Sequence, residues 1–120
     1  MRVEDLEVYK KLYKLVLEVH GLSMILPKFE LYELGSQLRR SSNSAPANLA
    51  KGFGNKHTNI YLESINRSQR EIRETKHHLR IAYNKQYITK EKLDYFIESY
   101  EECSKMLYGL ERSFLERHKR

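Results

Sequence analysis

Apolar positions recur along the chain with helical spacing in four stretches, and no stretch shows the strict alternation of a half-buried strand. The first stretch runs from Asp5, a residue suited to capping a helix, to about Leu22. Val8, Leu12, Leu15, Val19 and Leu22 form one face of it, and Leu6, Tyr9, Tyr13 and Val16 an adjoining one. Together they make an apolar arc wider than a single bundle seam needs, which predicts that a neighbouring molecule covers part of it. Gly21 and Pro27 then interrupt the pattern and predict a connection over residues 23–30.

The second stretch starts near Leu31 and continues through Leu34, Leu38, Ala45, Leu49 and Phe53, with Gly52 and Gly54 at its end. Read locally, Ser41-Ser42-Asn43-Ser44-Ala45-Pro46 predicts a loop, because Pro46 lacks the N–H that propagates a helix and its ring clashes with the preceding turn. Against this, Ser41, Ser44, Ala47 and Ala50 are small enough to admit a neighbouring helix, and serine hydroxyls can bond locally around a kink.

The third stretch, about His57 to Lys85, places Tyr61, Ile65, Ile72, Leu79 and Tyr83 in a narrow arc. Arg67, Arg70, Arg73, His77 and Arg80 spread over the far side, so one face packs and the other is basic. The fourth begins at Thr89, a residue suited to capping, with Ile88 placed to staple onto Leu93. It carries Leu93, Phe96, Ile97, Tyr100, Cys103, Leu107, Leu110 and Phe114 on a broad face. Four helices joined by short connections predict an all-α, antiparallel up-and-down four-helix bundle, with residues 1–120 as one domain.

The formal net charge of +6 is unevenly distributed. Residues 31–60 carry four basic residues against one acidic, and residues 61–87 six against three, while both ends of the chain are balanced. A basic middle segment favours an anionic partner, and the candidate contacts are Arg39, Arg40, Lys51, Lys56, Arg67, Arg70, Arg73, His77 and Arg80. The simpler alternative is a solvated surface, with Glu63, Glu71 and Glu74 forming intrahelical pairs such as Arg70 with Glu74.

Candidate chemistry is sparse. Glu74-Thr75-Lys76-His77 has the Glu-x-x-His spacing of di-iron bundles, yet the chain holds no second copy, and the pair lies opposite Ile65, Ile72 and Leu79. Arg73 with His78, and Arg112 with His118, fit the spacing of a helical ribonuclease, but the five and six residues between them turn the side chains about 140° and about 120° apart along a helix. The lone Cys103 lies on an apolar face without a histidine partner and reads as a core residue. Of the nine tyrosines, Tyr9, Tyr13, Tyr61, Tyr83 and Tyr100 share arcs with aliphatic residues, Tyr87 falls in the last connection, and Tyr32, Tyr95 and Tyr108 are unassigned. No metal, cofactor or catalytic residue is expected. The absence of a leader-like start, of paired cysteines and of a long apolar run predicts a cytoplasmic protein without a membrane span.

Asp5-Leu6-x-Val8-Tyr9, Gln37-Leu38-Arg39-Arg40, Ser44-x-Pro46-x-Asn48-Leu49-Ala50-x-Gly52 and Tyr87-Ile88 resemble the bacterial four-helix bundle family linked to intervening sequences in 23S ribosomal RNA genes. The resemblance covers most of the chain. It implies a bundle with Pro46 inside a kinked second helix, and ring-shaped homo-oligomers, typically pentamers. It is also similar to the accessory proteins of diversity-generating retroelements, which bind nucleic acid and a reverse transcriptase. Lys51 stands where the family usually has an acidic residue, and Ser41-Ser42 replaces a small apolar pair. The resulting expectation is a non-enzymatic oligomeric accessory protein that binds RNA or DNA through a basic surface with little sequence specificity. The alternatives are a protein-interaction scaffold or a helical ribonuclease.

Overall fold

The computed structural model describes residues 1–118. Four helices follow one another: α1 (Glu7–Met24), α2 (Leu34–Gly52), α3 (Thr58–Asn84) and α4 (Lys90–Arg117). Single 3-10 turns precede α1 at Val3–Asp5 and lead toward α2 at Lys28–Glu30. In space α1 packs on α2, α2 on α3, α3 on α4 and α4 back on α1. That order is the up-and-down four-helix bundle, drawn out to 52 × 24 × 20 Å. Its long axis follows from helices of 27 and 28 residues, each about 40 Å long.

The core is one continuous apolar stripe. Val8, Leu12, Leu15, Val19 and Leu22 of α1 are buried, and they meet Leu38, Ala45 and Leu49 of α2, Ile65, Ile72 and Leu79 of α3, and Phe96, Tyr100, Cys103 and Leu107 of α4. The adjoining face of α1 is only partly covered: Leu6 and Tyr9 pack half-buried against this core, Val16 is half-buried and Tyr13 is exposed. Burial raises the pKa of the Cys103 thiol to about 11, as the core reading of this residue requires.

Helix ends differ from the sequence reading in two places. Asp5 does not cap α1. It belongs to the preceding turn, where its carboxylate accepts the Arg2 backbone N–H at 3.0 Å, and Leu6 occupies the cap position. The start placed near Leu31 moves to Leu34, because residues 28–33 form tight turns first. Thr89 does cap α4, its Oγ1 accepting the Lys92 N–H at 3.1 Å.

α2 runs without interruption through Pro46, against the local loop prediction. Tertiary packing outweighs propensity here. Ser41, Ser42, Ala45 and Pro46 are all buried, and the Thr75 hydroxyl of α3 lies 2.8 Å from both Ser41 Oγ and the Glu71 carbonyl. At the end of α2 a Cβ on Gly52 would sit 2.2 Å from Ser64 Cβ, so the two backbones approach as closely as they do only because residue 52 is glycine.

α3 ends in a Schellman motif. Tyr87 N donates to Ala82 O and Gln86 N to Tyr83 O, both at 2.9 Å, and Gln86 takes the left-handed conformation with φ 67°. This abrupt stop turns Tyr87 toward the connection between α1 and α2. There the Tyr87 hydroxyl (2.7 Å) and Lys85 Nζ (2.9 Å) donate to the buried Glu30 carboxylate, which also accepts the Leu34 N–H at 3.4 Å.

Candidate nucleic-acid interface

The close approach of α2 and α3 determines where the basic side chains go. Arg40 leaves α2, is exposed, and reaches across to α3. It pairs with Glu74, lies 3.7 Å from Glu71 and bonds Gln37 on its own helix. Glu74 also bonds His78 Nε2 at 3.1 Å, and the expected Arg70–Glu74 pair does not form. Arg70 instead shares Glu63 with Arg67, at 3.2 and 3.0 Å. Burial, then the neighbouring His77 and Arg40, push the pKa of the His78 imidazole below its ordinary value.

Arg39 takes a different place from its neighbour. It is half-buried; one guanidinium nitrogen donates to the Leu31 carbonyl at 2.7 Å and the other to Ser23 Oγ at 3.1 Å. Helical-wheel reasoning treats an arginine as outward-facing, so this bracing role was invisible in the sequence.

Arg73, His77 and Arg80 are exposed, and none of the three has a carboxylate partner among the described residues. Spaced by four and three residues, they continue the line begun by Arg67 and Arg70 into a stripe along one side of α3, about 20 Å long. Lys51 and Arg67 flank an open groove of about 450 Å³ between the end of α2 and the start of α3, floored by Gly52, Ile60 and Ser64. Lys56 is exposed in the connection between these helices. A second groove, about 460 Å³, lies between α1 and α2 and joins His20, Arg39, Arg40 and Asn43. His20 was not among the residues selected by charge, because it belongs to a segment whose charges balance.

The surface can therefore do electrostatic work of two kinds. Arg67, Arg70 and Arg40 are partly neutralised by Glu63, Glu71 and Glu74, whereas Lys51, Arg73, His77 and Arg80 present donors outward. Exposed guanidinium and ammonium groups bind phosphate oxygens and hold a polymer without reading its sequence. The Glu74-x-x-His77 spacing assembles no ligand set: Glu74 faces Arg40, and no group of three or more His, Cys, Asp or Glu side chains among the described residues is placed to hold a metal ion. No helix among the described residues is long and apolar enough to cross a membrane.

The fold is similar to the crystal structure of a protein with unknown function from the S23 ribosomal protein family of Bacteroides thetaiotaomicron. The TM-score is 0.80 at 21% sequence identity, over 88% of this chain and 95% of that one. At that identity the likeness speaks for the bundle alone. No functionally curated protein matches the chain. The family profile of the 23S rRNA-intervening sequence proteins matches residues 4–109, from the turn before α1 into the last third of α4. The chain belongs to the 23S rRNA-intervening sequence protein family.

Proposed function

We propose that this protein is a non-enzymatic accessory factor that assembles into a homo-oligomeric ring and binds RNA or DNA through the basic side of α3. The observation that carries this reading is the run Arg73, His77 and Arg80, exposed and without carboxylate partners on a helix whose other face is wholly committed to the core. In a cyclic oligomer, five copies by family resemblance, one modest stripe per subunit becomes a continuous band of positive charge. Assembly is supported by the outer face of α1. Tyr13 and Leu17 are 54% and 63% exposed there, beside a shallow groove of about 270 Å³ reaching Pro46 and Ala47 of α2. Similarity to retroelement accessory proteins adds a reverse transcriptase as a candidate partner. The proposed place of action is the cytoplasm, a reading supported by the lone Cys103 and the short apolar runs. Fluorescence anisotropy of labelled RNA and DNA at several salt concentrations, on protein whose mass has been fixed by light scattering, tests the reading. Steeply salt-dependent binding by an oligomer supports it, and a monomer that binds neither polymer at low salt removes it.

One observation favours a second reading. Arg40, Arg67 and Arg70 already have carboxylate partners within the chain, so part of the basic surface is internally neutralised, as in a scaffold that meets other proteins. Co-purification of a protein partner free of nucleic acid distinguishes it.

A further inference from the structure

Residues 25–33 turn the chain from α1 into α2, and two charged side chains hold this corner from within. Glu30, only 1% exposed, is bound by Lys85 and Tyr87, and Arg39 is bound to the Leu31 carbonyl and to Ser23. Gly35 lets the corner close down: a Cβ there would lie 3.0 Å from the Glu30 carbonyl. The outer side of this braced corner is apolar and open to solvent. Ile25 is 75% exposed, Phe29 71% and Tyr32 85%. Phe29 and Tyr32 are three residues apart within consecutive tight turns, a spacing that puts both rings on one side. Isolated apolar residues on a surface need no explanation, but two aromatic rings on a turn fixed by buried polar contacts are a pre-organised contact surface.

The charges around the corner indicate what it contacts. Lys28 is exposed between the rings and α1, and Arg39 connects the corner to the groove shared with His20 and Arg40. Glu33 is the one exposed acidic residue in the turn. Aromatic rings beside a cationic groove are the elements of a site for unpaired bases, which stack on the rings while the phosphates follow the positive charge. A duplex keeps its bases stacked internally and could use only the charge.

We infer that the corner between α1 and α2 binds single-stranded nucleic acid by stacking bases on Phe29 and Tyr32. This rests on the nucleic-acid reading above and narrows it to unpaired strands. The test uses the protein with an oligouridine single strand and a blunt-ended two-strand duplex of matched length, which exposes no unpaired bases, followed by anisotropy. Both rings are exposed, so replacing them leaves the fold intact. Phe29→Ala with Tyr32→Ala weakens single-strand binding about tenfold or more and leaves duplex binding unchanged. The chain has nine tyrosines but no tryptophan, so Tyr32→Trp gives a single indole, excited selectively beyond the tyrosine band, that retains affinity and is quenched when the single strand binds. Equal effects of the double alanine variant on both polymers, no effect on either, or an unquenched indole overturn the inference while leaving the α3 reading intact. A smaller oligomer for the double variant also overturns it, by showing that the corner is a contact between copies. Failure of the wild-type protein to bind either polymer removes both readings together.

Discussion

Glu30 and Tyr87 lie 57 positions apart in the chain, and their side chains meet at 2.7 Å where the connection from α1 to α2 crosses the one from α3 to α4. Lys85 completes the contact, so a carboxylate removed from solvent keeps its charge among three donors. The bond fixes the same end of the bundle that carries the exposed aromatic corner.

A pH dependence follows from that contact. Hydrogen bonds from Lys85, then Tyr87, and more weakly from the Leu34 N–H, hold the Glu30 carboxyl below the ordinary value of 4.5, against the opposing effect of burial. A carboxylate with a lowered pKa stabilises the fold fully above its unfolded value and loses that contribution as pH falls through the folded one. Glu30→Gln therefore lowers the melting temperature at pH 7 and flattens its decline below about pH 4.5. Melting curves followed by circular dichroism from pH 3 to 8 check this, and an unchanged acid limb would show that Glu30 does not supply it.

Gln86 holds a left-handed conformation that glycine adopts at no cost, in a motif where glycine is the usual residue. Gln86→Gly relieves that strain and is expected to stabilise the protein by about 1 kcal/mol. Urea unfolding measures it. Destabilisation would mean that the Gln86 side chain contributes more than the backbone loses.

At the α2–α3 contact, Gly52→Ala forces a methyl group into Ser64 and should cost about 1–3 kcal/mol. Adding Ser64→Gly removes the atoms that the new Cβ meets, and recovers part of the loss. A double variant no more stable than the single one would place the strain on the Ile60 carbonyl, 3.1 Å away, instead.

Much of this was legible in the sequence, and the exceptions share a cause. Periodicity located the core of every helix because burial of Leu12, Leu38, Ile72 or Leu107 is decided within each helix by its own pattern. It failed where a partner distant in sequence decides the outcome. Pro46 stays helical because Ser41, Ala45 and Gly52 let α3 pack closely, and family resemblance rather than propensity anticipated it. Nothing local marks Glu30 for burial, since the Lys85 that neutralises it lies 55 residues away. The basic set was found by charge alone. Charge cannot tell Arg39, turned inward to Leu31, from Arg73 and Arg80, which have no carboxylate partner among the described residues.

The most direct measurement of the central claim is the salt dependence of nucleic-acid affinity for the wild-type protein and for Arg73→Ala with Arg80→Ala. Both side chains are exposed, so their loss leaves the core untouched. Each phosphate contact removed lowers the slope of log affinity against log salt by about 0.7 for a single strand and about 0.9 for a duplex. A double variant that still folds and oligomerises, with its slope reduced by about 1.5, is the predicted result. An unchanged slope, or a wild-type protein with no salt-dependent binding, contradicts the account.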